Sequence, residues 1–267
     1  MTKMWHFLKR DLVTVLSYRL AFSLGVASIV IGAVRFAYMA GFLQEGNQFP
    51  AIQQYGGDLM AYLVSGTLYM SLVGVSLNSF QSAIRNEQHS GTLEFLLLSD
   101  TPLILTLLYS AAWNYAWNLA SIGVVFAVLA LGFDIPLEAR VAPMLVVLVL
   151  STVCIAGIGM VSAGIIMVTK KGDPITWIVA TLSGFLSGVL FPVEMLPGWL
   201  QMASVALPTT HALSALRKTL ITGSGFEEVG RELLILALMS SVTIPLGLLS
   251  FRMGFRKARR DGTLTEY

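Results

Sequence analysis

Charge is scarce in these 267 residues: Asp, Glu, Lys and Arg make up 12% of the chain against 55% hydrophobic residues. An ordinary soluble domain carries about twice that share of charge. The polar surface left cannot cover a water-soluble globule of this length. The scarcity is also local, since residues 103–131 and 142–168 contain no Asp, Glu, Lys or Arg. The single cysteine, Cys154, excludes an internal disulfide framework, and its place inside an apolar run points to packing. The three histidines, His6, His89 and His211, are far apart, and no Ser/His/Asp or His/Glu grouping with metal spacing occurs. A Gly-x-x-x-x-Gly-Lys-Ser/Thr phosphate loop is also missing, so this chain is no ATPase by the usual route. Nor do its apolar runs alternate as barrel strands do. No short-period repeat, low-complexity tract or second domain interrupts it. The first twenty residues hold Lys3, Lys9, Arg10, Asp11 and Arg19 and no short apolar core with a cleavage site. The first span is therefore expected to do the targeting.

What is abundant is apolar sequence in long runs. About 30 Å of hydrocarbon needs roughly 20 residues of helix. Six runs meet that expectation, at about 20–42, 58–80, 102–131, 141–168, 174–191 and 232–251. The chain reads as one all-α integral membrane permease domain over 1–267. Residues 1–19 are expected as an amphipathic helix on the membrane surface. Trp5, Leu8, Leu12, Val15 and Leu16 form its apolar side, and Lys3, Lys9 and Arg10 lie largely opposite. Gln44–Gly57 reads as a polar loop. Asp173 is placed to cap the fifth helix, with Pro174 at its first position. Pro245 is expected to kink the last span. Residues 192–230, broken by Pro192, Pro197 and Pro208, are too interrupted for two spans and too apolar for a free loop. Two short helices, 195–206 and 209–222, dipping into one leaflet satisfy both facts.

Lys and Arg favour the cytoplasmic side. With six spans and both termini inside, twelve of the seventeen Lys and Arg residues fall in cytoplasmic segments. Four, Arg140, Arg217, Lys218 and Arg231, fall outside, and Arg35 lies in the first span. This places residues 81–101 in the cytoplasm and 192–230 on the outer face of a bacterial or archaeal inner membrane. Trp199 is expected at headgroup level. Arg217 is expected to reach the outer headgroups or to pair with Glu194 or Glu227.

The segment from Arg85 to Pro102 is the most polar inside the chain. Ser90 can cap a short helix starting near Gly91 or Thr92, with Glu94 in its first turn and Leu93, Leu96 and Leu97 as an apolar ridge. Such an element suits docking into a groove of a soluble partner. A plain turn between spans remains the other reading. Inside the spans, Arg35 either snorkels or faces a pathway or dimer interface. Asn114 and Asn118 share a helix face, for interhelical hydrogen bonds or for substrate.

The run Glu87-Gln88-His89-Ser90-Gly91-Thr92-Leu93-Glu94 resembles the signature of permease subunits in the second class of ATP-binding-cassette exporters. The Lys9–Leu12 segment resembles that family's interface helix. Ser187–Pro192, Leu196–Leu200, Leu207-Pro208, Ala215–Arg217 and Gly223 resemble its signature before the last span. The resemblance implies roles for three sets of residues. Glu87, Gly91, Thr92, Leu93, Glu94 and Leu97 would couple to an ATPase. Trp5, Lys9 and Arg10 would form the interface helix. Gly188, Pro192, Pro197, Trp199, Pro208 and Arg217 would shape the outer re-entrant segment. It also implies two permease chains, identical or sister, above two ATP-binding subunits, which would hold ATP and Mg²⁺ while this chain holds no cofactor. Membrane lipid is the remaining partner, and nucleic acid is not one. A small amphipathic or lipid-like substrate is expected, with a polysaccharide or lipid-linked glycan as the alternative. A secondary transporter would need inverted repeats and buried carboxylates. An intramembrane lipid-modifying enzyme would need paired ionisable groups at one depth. The sequence displays neither.

Overall fold

A computed structural model describes residues 50–89, 138–169 and 173–260 continuously, together with individual helical positions between 24 and 42 and between 105 and 123. The described residues are mostly helical, with no strand among them. A 3-10 turn, Pro50–Tyr55, leads into α1, Leu59–His89. There follow α2, Val141–Thr169; α3, Pro174–Leu186; α4, Gly198–Val205; α5, Pro208–Ile221; and α6, Phe226–Arg260. The expected interface helix, with Trp5, Lys9 and Arg10, and the expected coupling residues Gly91, Thr92, Leu93, Glu94 and Leu97 lie outside the described residues.

Among the described residues three helices are long and apolar enough to cross a bilayer, within Leu59–Arg85, Val141–Thr169 and Phe226–Arg260. Three helices have ends that differ from those of the hydropathy runs. The second run does not end at Phe80, because α1 continues to His89. Gln, Arg and Glu are good helix formers, so polarity alone does not stop a helix. The last helix begins at Phe226 and ends at Arg260, well beyond 232–251 on both sides. Glu227 and Glu228 in its first turn and Lys257, Arg259 and Arg260 in its last complement the helix dipole. The fifth run, expected over 174–191, is helical only to Leu186. Thirteen residues reach about 20 Å, short of the hydrocarbon thickness.

Two expected breaks are found close to where they were placed. Asp173 caps α3 by accepting from the Thr176 N–H at 3.0 Å, with Pro174 in the first turn. The two short helices are α4 and α5, each beginning beside a proline that lacks an N–H to leave orphaned. The loop before α1 is not a free polar strand over its described part, since Ile52 and Tyr55 are buried against Leu59, Tyr62 and Leu63.

Glycine sets the packing of α2. A side chain at Gly164 would come within 2.5 Å of the Ser250 carbonyl oxygen, and one at Gly157 within 2.7 Å of the Thr243 backbone. From the α6 side, Gly247 and Gly254 meet the carbonyls of Gly157 and Gly164. Both glycine pairs are seven residues apart, so each recurs on one helix face. Within a membrane no hydrophobic force drives helices together, and small residues permit the backbone approach that does. Cys154 is buried in this seam as the packing reading expected, and it accepts from Thr243 Oγ1 at 3.7 Å.

Candidate functional site

The site forms where α3 stops. A helix ending in a low-dielectric environment leaves carbonyls without N–H partners, and each needs a donor. At Gly188 the chain turns with φ +79°, a conformation that favours glycine. The carbonyls of Leu186, Gly188 and Val189 are each taken up by a side-chain donor. Ser204 Oγ donates to Leu186 O at 2.8 Å. Tyr62 Oη donates to Gly188 O at 2.6 Å. Arg217 Nη1 donates to the same oxygen at 2.8 Å, and Nη2 donates to Val189 O at 3.2 Å. Ser187 and Thr209 share a short hydroxyl contact, and Thr209 donates on to Ser183 at 3.1 Å.

Arg217 is the centre of this cluster, and it sits where neither sequence expectation put it. Its side chain is buried inside the protein and forms no ion pair with Glu194 or Glu227. It is 2% exposed, the largest fully buried side chain among the described residues. Besides the two carbonyls after α3, it donates to Tyr62 O at 2.9 Å and to Ser65 Oγ at 3.3 Å. Its guanidinium lies 3.4 Å from the centre of the Tyr62 ring and 5.6 Å from that of Tyr55. A planar, weakly hydrated cation with five donors suits such a place; an ammonium does not. The room comes from Gly66, where a methyl group would stand 2.6 Å from Val189 O and 2.8 Å from Arg217 Nη2. The adjacent Lys218 pairs with Glu232 at 2.7 Å, tying α5 to α6. A cleft of about 220 Å³ opens beside Arg217, bordered by Glu194, His211, Arg231 and Glu232.

A second polar node holds the other end of α3. Gln81 of α1 donates to Asp173 in a short contact and to Ser162 Oγ at 3.1 Å, and Ser162 of α2 also donates to Asp173. Burial works to raise the Asp173 carboxyl. The bonds from Ser162, Thr176 and Gln81 outweigh it and hold the group below its ordinary value of 3.8. Along α1, Tyr62 and Gln81 are nineteen residues apart, roughly 28 Å of helix. The two nodes therefore stand about one hydrocarbon thickness apart, and α3 is fastened to α1 at both ends.

The remaining expected site residues separate. Gly188 and Pro192 are buried at the break, while Pro197 and Trp199 are exposed at the start of α4, Trp199 at 71%. Pro208 opens α5 and is buried. Asn118 is buried and donates to Ser71 of α1 at 3.0 Å, an interhelical bond, and its Oδ1 has no partner. Asn114 is half-buried on the same helix, and Arg35 is exposed. Glu87 lies in the last turn of α1. Tyr62, Ser65, Gly66 and Gln81 were not singled out from sequence. Their signal was a set of small and hydroxyl residues in a span facing a proline-broken segment, legible only once the two were paired.

Residues 2–221 match the ABC-2 type transporter family. The chain is 26% identical over 178 residues to the inner membrane transport permease YhhJ of Escherichia coli K12, covering 64% of this chain and 46% of that protein. It is 30% identical over 112 residues to ABC transporter G family member 20 of Dictyostelium discoideum, covering 40% of this chain and 15% of that one. The chain thus spans less than half the length of these curated relatives. With the family match running through both nodes and the described helices apolar enough to cross a bilayer, the chain belongs to the ABC-2 type transporter family, as a membrane permease.

Proposed function

We propose that this chain is the membrane half of an ATP-driven exporter, working as a pair of permease chains above two separate ATP-binding subunits. Those subunits hold ATP and Mg²⁺, and this chain supplies the pathway. Six spans with both termini in the cytoplasm follow from the hydropathy and the Lys/Arg bias. The observation that carries the reading is the fastening of α3 to α1 at both ends, by Gln81 and Asp173 at one and by Tyr62 and Arg217 at the other. Displacement of the Glu87 end of α1 is then passed to the broken segment on the opposite side without a separate wire. Closure of the ATP-binding subunits pushes on Glu87–Leu97 and on the N-terminal helix. The α1–α3 unit shifts, and the break at Gly188 opens the outer side.

The substrate in this reading is a small amphipathic or lipid-like compound. The test is reconstitution of the chain with its ATPase in sealed vesicles. ATP-dependent movement of an amphipathic dye, abolished by vanadate, supports the reading. Dye movement driven by a proton or sodium gradient without ATP would replace it with a secondary transporter.

A further inference from the structure

The groove between α2 and α6, at the end marked by Thr169 and Arg260, has no part in the export reading. It encloses about 810 Å³, within the roughly 300–1,000 Å³ common for small-molecule sites. Its floor is made by Gly164, Ser250 and Gly254, where the two backbones meet and no large side chain fills the space. Its walls are apolar, with Val161, Ile165 and Val168 on α2 and Leu246, Leu249 and Met253 on α6. At one end the lining changes character over a single turn, to Arg256, Lys257 and Arg260. These three are exposed, and Arg260 lies four residues from Arg256 and three from Lys257, the spacings at which helical side chains are neighbours. Among the described residues no acidic side chain lines the groove, and none of the three cations is in an ion pair with a described residue.

A soluble ligand would leave the long apolar walls unused, and a neutral lipid would leave three cations unanswered. A chain of methylene groups with a phosphate at one end uses both. We propose that this groove binds an anionic phospholipid, with an acyl chain laid along Gly164 and Gly254 and the phosphate held by Arg256, Lys257 and Arg260. Basic clusters next to the ends of spans attract anionic headgroups, and the attraction is confined to within a Debye length of the surface. The groove adds what a bare basic cluster lacks, a slot that fixes which lipid stays.

The test is a native mass spectrometric titration of the full chain, purified in detergent, with phosphatidylglycerol and with phosphatidylcholine. The wild type should retain phosphatidylglycerol roughly tenfold better. The triple variant Arg256→Gln, Lys257→Gln, Arg260→Gln should bring the two lipids within twofold of each other. Ile165→Trp, which fills the slot and leaves the cations intact, should lose at least fivefold in phosphatidylglycerol binding. Equal retention of both lipids by the wild type, or an undiminished preference in the triple variant, overturns the proposal. Unchanged binding by Ile165→Trp overturns the placement of the chain in the groove. Thermal stabilisation of lipid-free protein by inorganic phosphate, equal to that by phosphatidylglycerol, would make this a free-anion site and overturn the lipid assignment.

Discussion

The guanidinium of Arg217 lies 3.4 Å from the centre of the Tyr62 ring, while the Tyr62 hydroxyl and Arg217 Nη1 share one acceptor, the carbonyl of Gly188. Two side chains from different helices thus close the backbone gap left where α3 ends. Among the described residues no carboxylate pairs with the cation, and its partners are ring, carbonyl and hydroxyl dipoles. A helix C-terminus is the place where a cation gains most from such dipoles.

Replacing Arg217 should therefore be costly. Arg217→Met keeps volume but leaves Gly188 O with one donor and Val189 O with none of those described. The expected loss is about 2–4 kcal/mol. Arg217→Lys should recover less than half of it, because one ammonium cannot serve several acceptors in a plane. Thermal unfolding in detergent measures both variants. A Lys variant as stable as wild type would contradict this role.

Gly66 and Gly74 give a paired test of the space around Arg217. Both lie in α1, but a side chain at Gly74 would meet nothing within 4 Å. Gly74→Ala should be neutral or stabilising by up to about 1 kcal/mol. Gly66→Ala presses on Val189 O and the guanidinium and should cost about 2 kcal/mol. Equal melting temperatures for the two variants would show that the contact is not tight.

Much of this arrangement was legible in the sequence, for local reasons. Asp173-Pro174 is a cap whose chemistry is complete within four residues. Pro208 marks the start of α5 by the same logic, whereas α4 starts at Gly198, after Pro197, and not at the expected 195. The burial of Arg217 was not legible, because it answers carbonyls some thirty residues away and side chains on a helix 150 residues earlier. Gln81 was hidden for the same reason, since its partner Asp173 comes ninety-two residues later. The ends of α1 and α6 were not legible, because hydropathy locates the apolar run and not the helix that carries it. The glycine pairs 157/164 and 247/254 were in plain view at a seven-residue spacing. Their meaning required knowing that α2 and α6 are neighbours.

Asp173 gives a pH dependence. Its carboxyl is held below its ordinary value, so the folded state favours the charged form. That contribution is fully present above the ordinary value of 3.8 and is lost as pH falls through the lowered one. Wild-type melting temperature should drop more steeply below about pH 4 than that of Asp173→Asn, which has no charge to lose. Asp173→Ala should in addition lose the cap, about 1 kcal/mol at neutral pH. Parallel pH profiles for wild type and Asp173→Asn would contradict the Gln81–Ser162–Asp173 node.

The Gly164–Gly254 contact should be intolerant of bulk. Gly254→Leu must push α6 away from the Gly164 carbonyl and should cost more than about 3 kcal/mol. Gly230→Ala, which meets nothing within 4 Å, is the control. A cysteine cross-link between the facing positions Val161 and Ser250 should form readily in the control and poorly in the Leu variant.

The proposed coupling rests on Glu87 and Glu94. Glu87→Ala and Glu94→Ala should leave ATPase association intact or slightly weakened while transport falls and hydrolysis stops responding to substrate. Wild-type transport in both variants would make them solvated charges, each contributing about 0–1 kcal/mol.

The most direct test of the central claim is the mass and activity of the complex carrying this chain, purified from its own membrane by a tag on the chain. The account expects two permease chains with two ATP-binding subunits, in a particle whose vanadate-sensitive ATP hydrolysis copurifies with the tag. A particle that transports substrate with no ATP-binding subunit present, or with a single permease chain, would contradict it.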